Sequence, residues 1–153
     1  MNEPEMKSQR FLLDNNVFIA AIKNPLKMTS TLQLILECIK NADMELIGNK
    51  YLIEEMQKYQ EIFNSPSASM ILSLLIFKTK VVDIHDEEIL ICKPFFPSEE
   101  IVDILHAATA LQEHAIIITN DKHFDEIKEQ QIIQVWPLTE AIQMLLHPAK
   151  HET

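Results

Sequence analysis

The sequence has one glycine in 153 residues, Gly48. A phosphate-binding loop built from several glycines is thereby excluded. Only two cysteines are present, Cys38 and Cys92, and they show no ligand-like spacing. Two free, buried thiols are expected rather than a bridge. No apolar run approaches the about 18 residues of a membrane span, and no basic segment followed by an apolar run marks a signal peptide. The expectation is a soluble cytoplasmic protein with no membrane association. Basic residues are also scarce: 13 Lys and Arg against 23 Asp and Glu give a formal net charge of −10. That disfavours a protein gripping nucleic acid through a broad basic surface. Bound cations or a small basic patch remain open as alternatives, and the charge also serves solubility alone.

What is present is a well-supplied core, with 47% hydrophobic residues. The length favours a single domain over residues 1–153, with 1–9 and 148–153 expected to be flexible. Short apolar strands are expected at 11–13, 44–47, 80–84, 115–119 and 132–135. Ser30-Thr31-Leu32-Gln33 reads as a capping box opening a helix with Leu32, Ile35, Leu36 and Ile39 on one face. Further helices are expected at 50–63, at 66–77 behind Ser65-Pro66, at 99–113 with Ser98 as its cap, at 122–128, and from 139 to just before His147-Pro148. Lys93-Pro94-Phe95-Phe96-Pro97 reads as a loop, its aromatics either stapling the next helix to the core or forming a dimer contact. Strands alternating with helices imply an α/β fold, a central parallel sheet of about five strands with helices on both faces.

Four acids invite a closer reading. Asp14 follows the apolar run Phe11-Leu12-Leu13, and Asp121 follows Ile116-Ile117-Ile118-Thr119-Asn120. Each alone is satisfied as a helix cap. Both nevertheless fall at strand ends, where open α/β sheets gather ligands. In the helix from 50, Leu52, Met56, Tyr59 and Phe63 form the apolar stripe; Glu54 lies nearly opposite it and Glu55 at its edge. Glu55 is then either an edge residue reaching into water or an acid leaning toward the body of the protein. Within IVDILHAATAL, residues 101–111, only Asp103, His106 and Thr109 are polar, spaced three apart on one face. That face is either a narrow solvent strip or the wall of a polar pocket. Several carboxylates in one pocket repel each other unless a cation is present, and oxygen-rich donors suit Mg²⁺ or Mn²⁺. Such an ion orients water and stabilises charge on a phosphoryl oxygen.

The segments FLLDNNVFIAAI (11–22), LIEEMQKY (52–59), DILHAATALQEHA (103–115) and IIITNDKHFDEI (116–127) resemble, in order and spacing, those of the PIN-domain ribonucleases, a family that includes the VapC-type toxins. The resemblance spans almost the whole chain. It implies a PIN-like three-layer sandwich and a Mg²⁺- or Mn²⁺-dependent endoribonuclease that leaves a 5′-phosphate and a 3′-hydroxyl. It implies that Asp14, Glu55, Asp103 and Asp121 are the catalytic, metal-binding acids. Asn16, Thr119 and Asn120 would support them by hydrogen bonds. It further suggests an RNA substrate, a homodimer and, for a toxin, an antitoxin partner. Two features depart from the pattern. Asn15 stands where the family more often has a small hydroxyl residue, and the chain is acidic for a nuclease.

Two other readings compete with the nuclease. One is a PIN-like binding or scaffold module with little or no cleavage, favoured by the acidity and opposed by the four intact acids. The other is a phosphatase or phosphotransferase. A haloacid-dehalogenase-type site would need a second Asp where Asn16 stands, and a receiver-type domain would need an acidic pair near Asp14, whose neighbours are Asn15 and Asn16.

Overall fold

The computed structural model describes residues 9–24 and 26–147. Its centre is a five-stranded, all-parallel sheet in the order β3-β2-β1-β4-β5. The strands are β1 (Gln9–Leu13), β2 (Met44–Gly48), β3 (Thr79–Val81), β4 (Ile116–Ile118) and β5 (Val135–Trp136). The helices are α1 (Asn15–Ile22), α2 (Ser30–Lys40), α3 (Lys50–Phe63), α4 (Pro66–Lys78), α5 (Asp86–Cys92), α6 (Ile101–Glu113), α7 (Asp125–Glu129) and α8 (Leu138–Leu146).

The strand order dictates where a ligand can sit. From β1 the chain builds outward through β2 to β3, then returns to the other side of β1 with β4 and β5. Parallel crossovers are right-handed, so this reversal puts the helices between β1 and β3 on one face and those between β3 and β5 on the other. The segments that follow the adjacent strands β1 and β4 therefore leave toward opposite faces, and a crevice opens beyond the paired carboxyl ends. Central position accounts for their composition: Phe11, Leu12, Leu13, Ile117 and Ile118 are all buried, as a strand covered on both faces requires. Phe96 packs edge-on against Phe124, with ring centroids 5.3 Å apart, so that aromatic belongs to the core. Both cysteines are free and buried.

The lone glycine ends β2, where a Cβ would come within 2.8 Å of Thr79 Cγ2 and 3.0 Å of Leu52 Cδ2. Helix ends that often use glycine use other residues here: Asn64 and His114 close α3 and α6 with φ of 42° and 54°.

Several boundaries differ from the sequence reading. The cap of α2 is Thr29, whose hydroxyl accepts the Leu32 N–H, one residue before Ser30. Ser98 does not cap α6: it is used up in a turn closed by the Glu100 N–H on the Pro97 carbonyl, and the helix starts three residues later. β3 stops at Val81 because Gln112 of α6 takes over the next segment, donating to the Asp83 carbonyl and accepting the His85 N–H. β5 begins only at Val135, after Gln131 turns the chain at a φ of 59° and the Ile132 N–H bonds back to the Ile127 carbonyl. α5, with three acids in its first turn, has no counterpart in the sequence reading, and Lys93–Phe95 form a 3₁₀ turn rather than an open loop. Gln9, expected in a flexible end, is the first residue of β1; the expectation for 1–8 and 148–153 concerns residues outside those described.

Candidate active site

Asp14 leaves the carboxyl end of β1 and is almost fully buried, at 3% exposure. Its Oδ1 accepts the Asn15 N–H at 2.8 Å, which starts α1. Its Oδ2 accepts the Thr119 hydroxyl at 2.8 Å. The capping and cluster readings of Asp14 therefore describe two oxygens of one side chain. Burial pushes its carboxyl above the usual carboxylate range, with Thr119 and the Asn15 N–H opposing and Glu55 adding to the rise.

Thr119 is the junction of this region. Besides donating to Asp14, its Oγ1 accepts Asn16 Nδ2 at 3.2 Å and the Asp121 N–H at 3.0 Å. Its own N–H goes to the Trp136 carbonyl, so the residue is anchored by β5 while its side chain serves β1. Asp121 then opens the 3₁₀ turn Lys122–Phe124, accepting the His123 N–H on Oδ1 at 2.9 Å. Asn120 sends its Oδ1 to the Leu138 N–H at 2.9 Å, so its side chain caps α8. Only its backbone N–H faces Asn16, at 3.5 Å.

The third carboxylate comes from α6. Asp103 lies in its first turn, and oxygens of Asp14, Asp103 and Asp121 lie within 4.8 Å of one another. Burial pushes Asp103 up to about 6; Asp14, Asp121 and Glu100 add to the rise, and a hydrogen bond from His123 opposes it. His123 Nδ1 is 3.0 Å from Asp103, 3.3 Å from Asp121 and 3.7 Å from Glu100. These acids, Asp103 first among them, raise the pKa of His123.

Glu55 stands apart from that triad. Glu54 is exposed and Glu55 half-buried, on the side facing α6. Its Oε1 is 3.4 Å from His106 Nε2, and its Oε2 is buried without a partner. His106 and Thr109 are both 0% exposed, so the polar face of α6 beyond Asp103 is buried inside the protein and is not a solvent strip. They meet Asn49, the buried cap of α3. Asn49 and Glu100 were not candidates from the sequence. The legible sign for Asn49 was its place before a helix, as a residue type that caps; Glu100 reads there only as a favourable first-turn acid.

The donor set tests the fit to a metal ion. Three converging carboxylates, one of them pushed up to about 6, form a cluster whose mutual repulsion a divalent cation relieves. All three donors are hard oxygens, the type that Mg²⁺ and Mn²⁺ prefer. The orphaned Glu55 Oε2 is a further oxygen in the same region. The residues therefore fit the group.

The PIN domain family matches residues 11–130. The chain belongs to the PIN domain family. PIN domains are generally metal-dependent nucleases that act on RNA. The match spans every acid described above, while β5 and α8 lie beyond it. No curated protein matches the sequence. Among the described residues of this PIN domain, no helix is long and apolar enough to cross a membrane.

Proposed function

We propose that this PIN domain is an endoribonuclease that hydrolyses RNA phosphodiester bonds with Mg²⁺ or Mn²⁺ as its cofactor. The convergence of Asp14, Asp103 and Asp121 at the carboxyl ends of β1 and β4 carries the reading. A divalent ion there supplies charge stabilisation on a phosphoryl oxygen and a more acidic attacking water. Asp14, Asp103 and Asp121 hold it. Glu55 joins them or orients the water. Thr119 fixes Asp14 Oδ2, and Asn16 fixes the Thr119 hydroxyl, which keeps the Asp14 carboxylate in one rotamer.

The test is cleavage of RNA by the wild type and by Asp14→Asn, with Mg²⁺ or Mn²⁺ and with a chelator. The expected result is cleavage by the wild type alone, abolished by chelation. Equal cleavage by both proteins, or chelator-resistant cleavage, overturns the reading.

The net charge of −10 favours a second reading, a PIN domain used as a binding or scaffold module with little cleavage. Thermal unfolding with and without Mn²⁺ separates the two, since a ligand of the native state raises stability. No shift at millimolar Mn²⁺ favours the binding module. A toxin role with an antitoxin partner, and a homodimer, rest on the resemblance to VapC-type toxins. A small open reading frame beside the gene and the mass of the protein in solution test them.

A further inference from the structure

Asn49, His106 and Thr109 are each 0% exposed, and their hydrogen bonds leave each polar atom one role. Asn49 Oδ1 accepts the Leu52 N–H at 3.0 Å. That fixes the amide, so Nδ2 faces α6, 2.9 Å from Thr109 Oγ1 and 3.1 Å from His106 Nδ1. The Thr109 hydroxyl spends its proton on the Leu105 carbonyl at 2.8 Å and so accepts from Asn49. The second amide proton goes to His106 Nδ1, which must then offer a lone pair. The ring proton therefore lies on Nε2, and Nε2 is 3.4 Å from Glu55 Oε1. At the end of this chain, Glu55 Oε2 is buried and unpartnered, which is costly unless the oxygen serves a ligand.

We propose that His106 is a positioning residue for Glu55: Asn49 and Thr109 lock its ring in the Nε2–H tautomer, and that N–H holds Oε1 so that Oε2 is kept for the cation or the water it orients. The assignment deepens the nuclease reading and rests on it. The arrangement is the one by which a carboxylate is aimed from behind by a group that never touches the substrate. It also gives a reason for a histidine on the most buried part of α6, where an apolar residue would pack without any hydrogen-bond requirement.

Two measurements test it. Long-range proton–nitrogen NMR on ¹⁵N-labelled wild type reads the tautomer directly, with no need for activity or a variant. The expected pattern for His106 is an unprotonated Nδ1 and a protonated Nε2; the reverse overturns the proposal. The second compares His106→Gln, which keeps a donor toward Glu55, with His106→Leu, which does not. Each is titrated with Mn²⁺ by thermal shift and assayed for kcat and KM on RNA. His106→Leu is expected to lose about 10- to 100-fold in Mn²⁺ affinity or kcat with KM unchanged, and His106→Gln to recover most of it. A folded His106→Leu equal to the wild type, or a His106→Gln as impaired as His106→Leu, overturns the positioning role alone. Wild type that neither binds Mn²⁺ nor cleaves overturns the nuclease reading and Glu55's part in it together.

Discussion

Thr119 Oγ1 donates to Asp14 Oδ2 at 2.8 Å across 105 positions of sequence, joining the carboxyl ends of β1 and β4. The same oxygen accepts Asn16 Nδ2 and the Asp121 N–H, so one hydroxyl fixes groups on both sides of the crevice. Thr119→Val keeps the shape and removes the hydroxyl. It leaves a buried Asp14 oxygen unpaired, which costs about 1–3 kcal/mol, and removes a bond that holds the Asp14 pKa down. The expected outcome is lower stability in urea and Mn²⁺ affinity reduced by about 10- to 100-fold. Urea unfolding and Mn²⁺ titration, both at neutral pH, check it.

The raised pKa of Asp103 has a defined signature in pH. Its folded-state value is about 6, above the ordinary 3.8, so the folded protein binds this proton more tightly than the unfolded chain. The metal-free protein therefore loses stability from this group as pH rises from about 4 to about 6, where the unfolded chain ionises first. A cation binds the ionised form, so binding releases protons and weakens in acid. At pH 5 the proton competes about tenfold against a group with a pKa near 6. Thermal unfolding in a chelator should show Asp103→Asn more stable than the wild type at pH 7.5 and the difference shrinking toward pH 4. The Mn²⁺-induced rise in melting temperature should be larger at pH 7.5 than at pH 5 for the wild type.

Much of this site was legible because its acids follow apolar strands or sit on amphipathic helices. Asp14 and Asp121 are marked by the runs before them, and the helical stripe of Leu52 and Met56 separates Glu55 from Glu54. The three-residue spacing of Asp103, His106 and Thr109 marked a shared face but not its surroundings. Whether that face meets water or protein depends on Asn49, 57 positions from His106, and nothing local encodes that pairing. The misplaced strand ends have the same cause. Val82, Ile84, Ile132 and Ile133 satisfy strand patterning, but a side chain from α6 and a positive-φ turn at Gln131 engage these segments, and only the Val82 N–H and the Gln134 carbonyl still bond β2 and β4. Local propensity fixes neither, because both competitors are set by tertiary contacts.

Asn120 separates two kinds of support near the acids. Its side chain bonds the Leu138 N–H, whereas only its backbone meets Asn16. Asn120→Ala removes a helix-capping oxygen and leaves the backbone contact in place. The expected cost is about 1 kcal/mol, with faster amide hydrogen exchange in the first turn of α8. Mn²⁺ affinity should hardly change, in contrast to Thr119→Val. A loss of affinity as large as that of Thr119→Val would instead place the Asn120 side chain among the groups that support the acids.

Gly48 is the last test, because its role is close approach and not turn-making. Its φ is not positive, yet a Cβ there would lie 2.8 Å from Thr79 Cγ2 and 3.0 Å from Leu52 Cδ2. Thr79 has little freedom to retreat, since its hydroxyl is held by the Leu75 carbonyl at 2.6 Å. Leu52 is fully buried, and its N–H is the one that fixes the Asn49 amide. Gly48→Ala therefore overpacks the junction of β2, β3 and α3, at an expected cost of about 1–3 kcal/mol in urea unfolding. The displaced Leu52 should also weaken the Leu52–Asn49 hydrogen bond, and with it the orientation of His106. A His106 ring signal that is sharp in the wild type and broadened in the variant's NMR spectrum would trace that strain from the only glycine to the buried histidine.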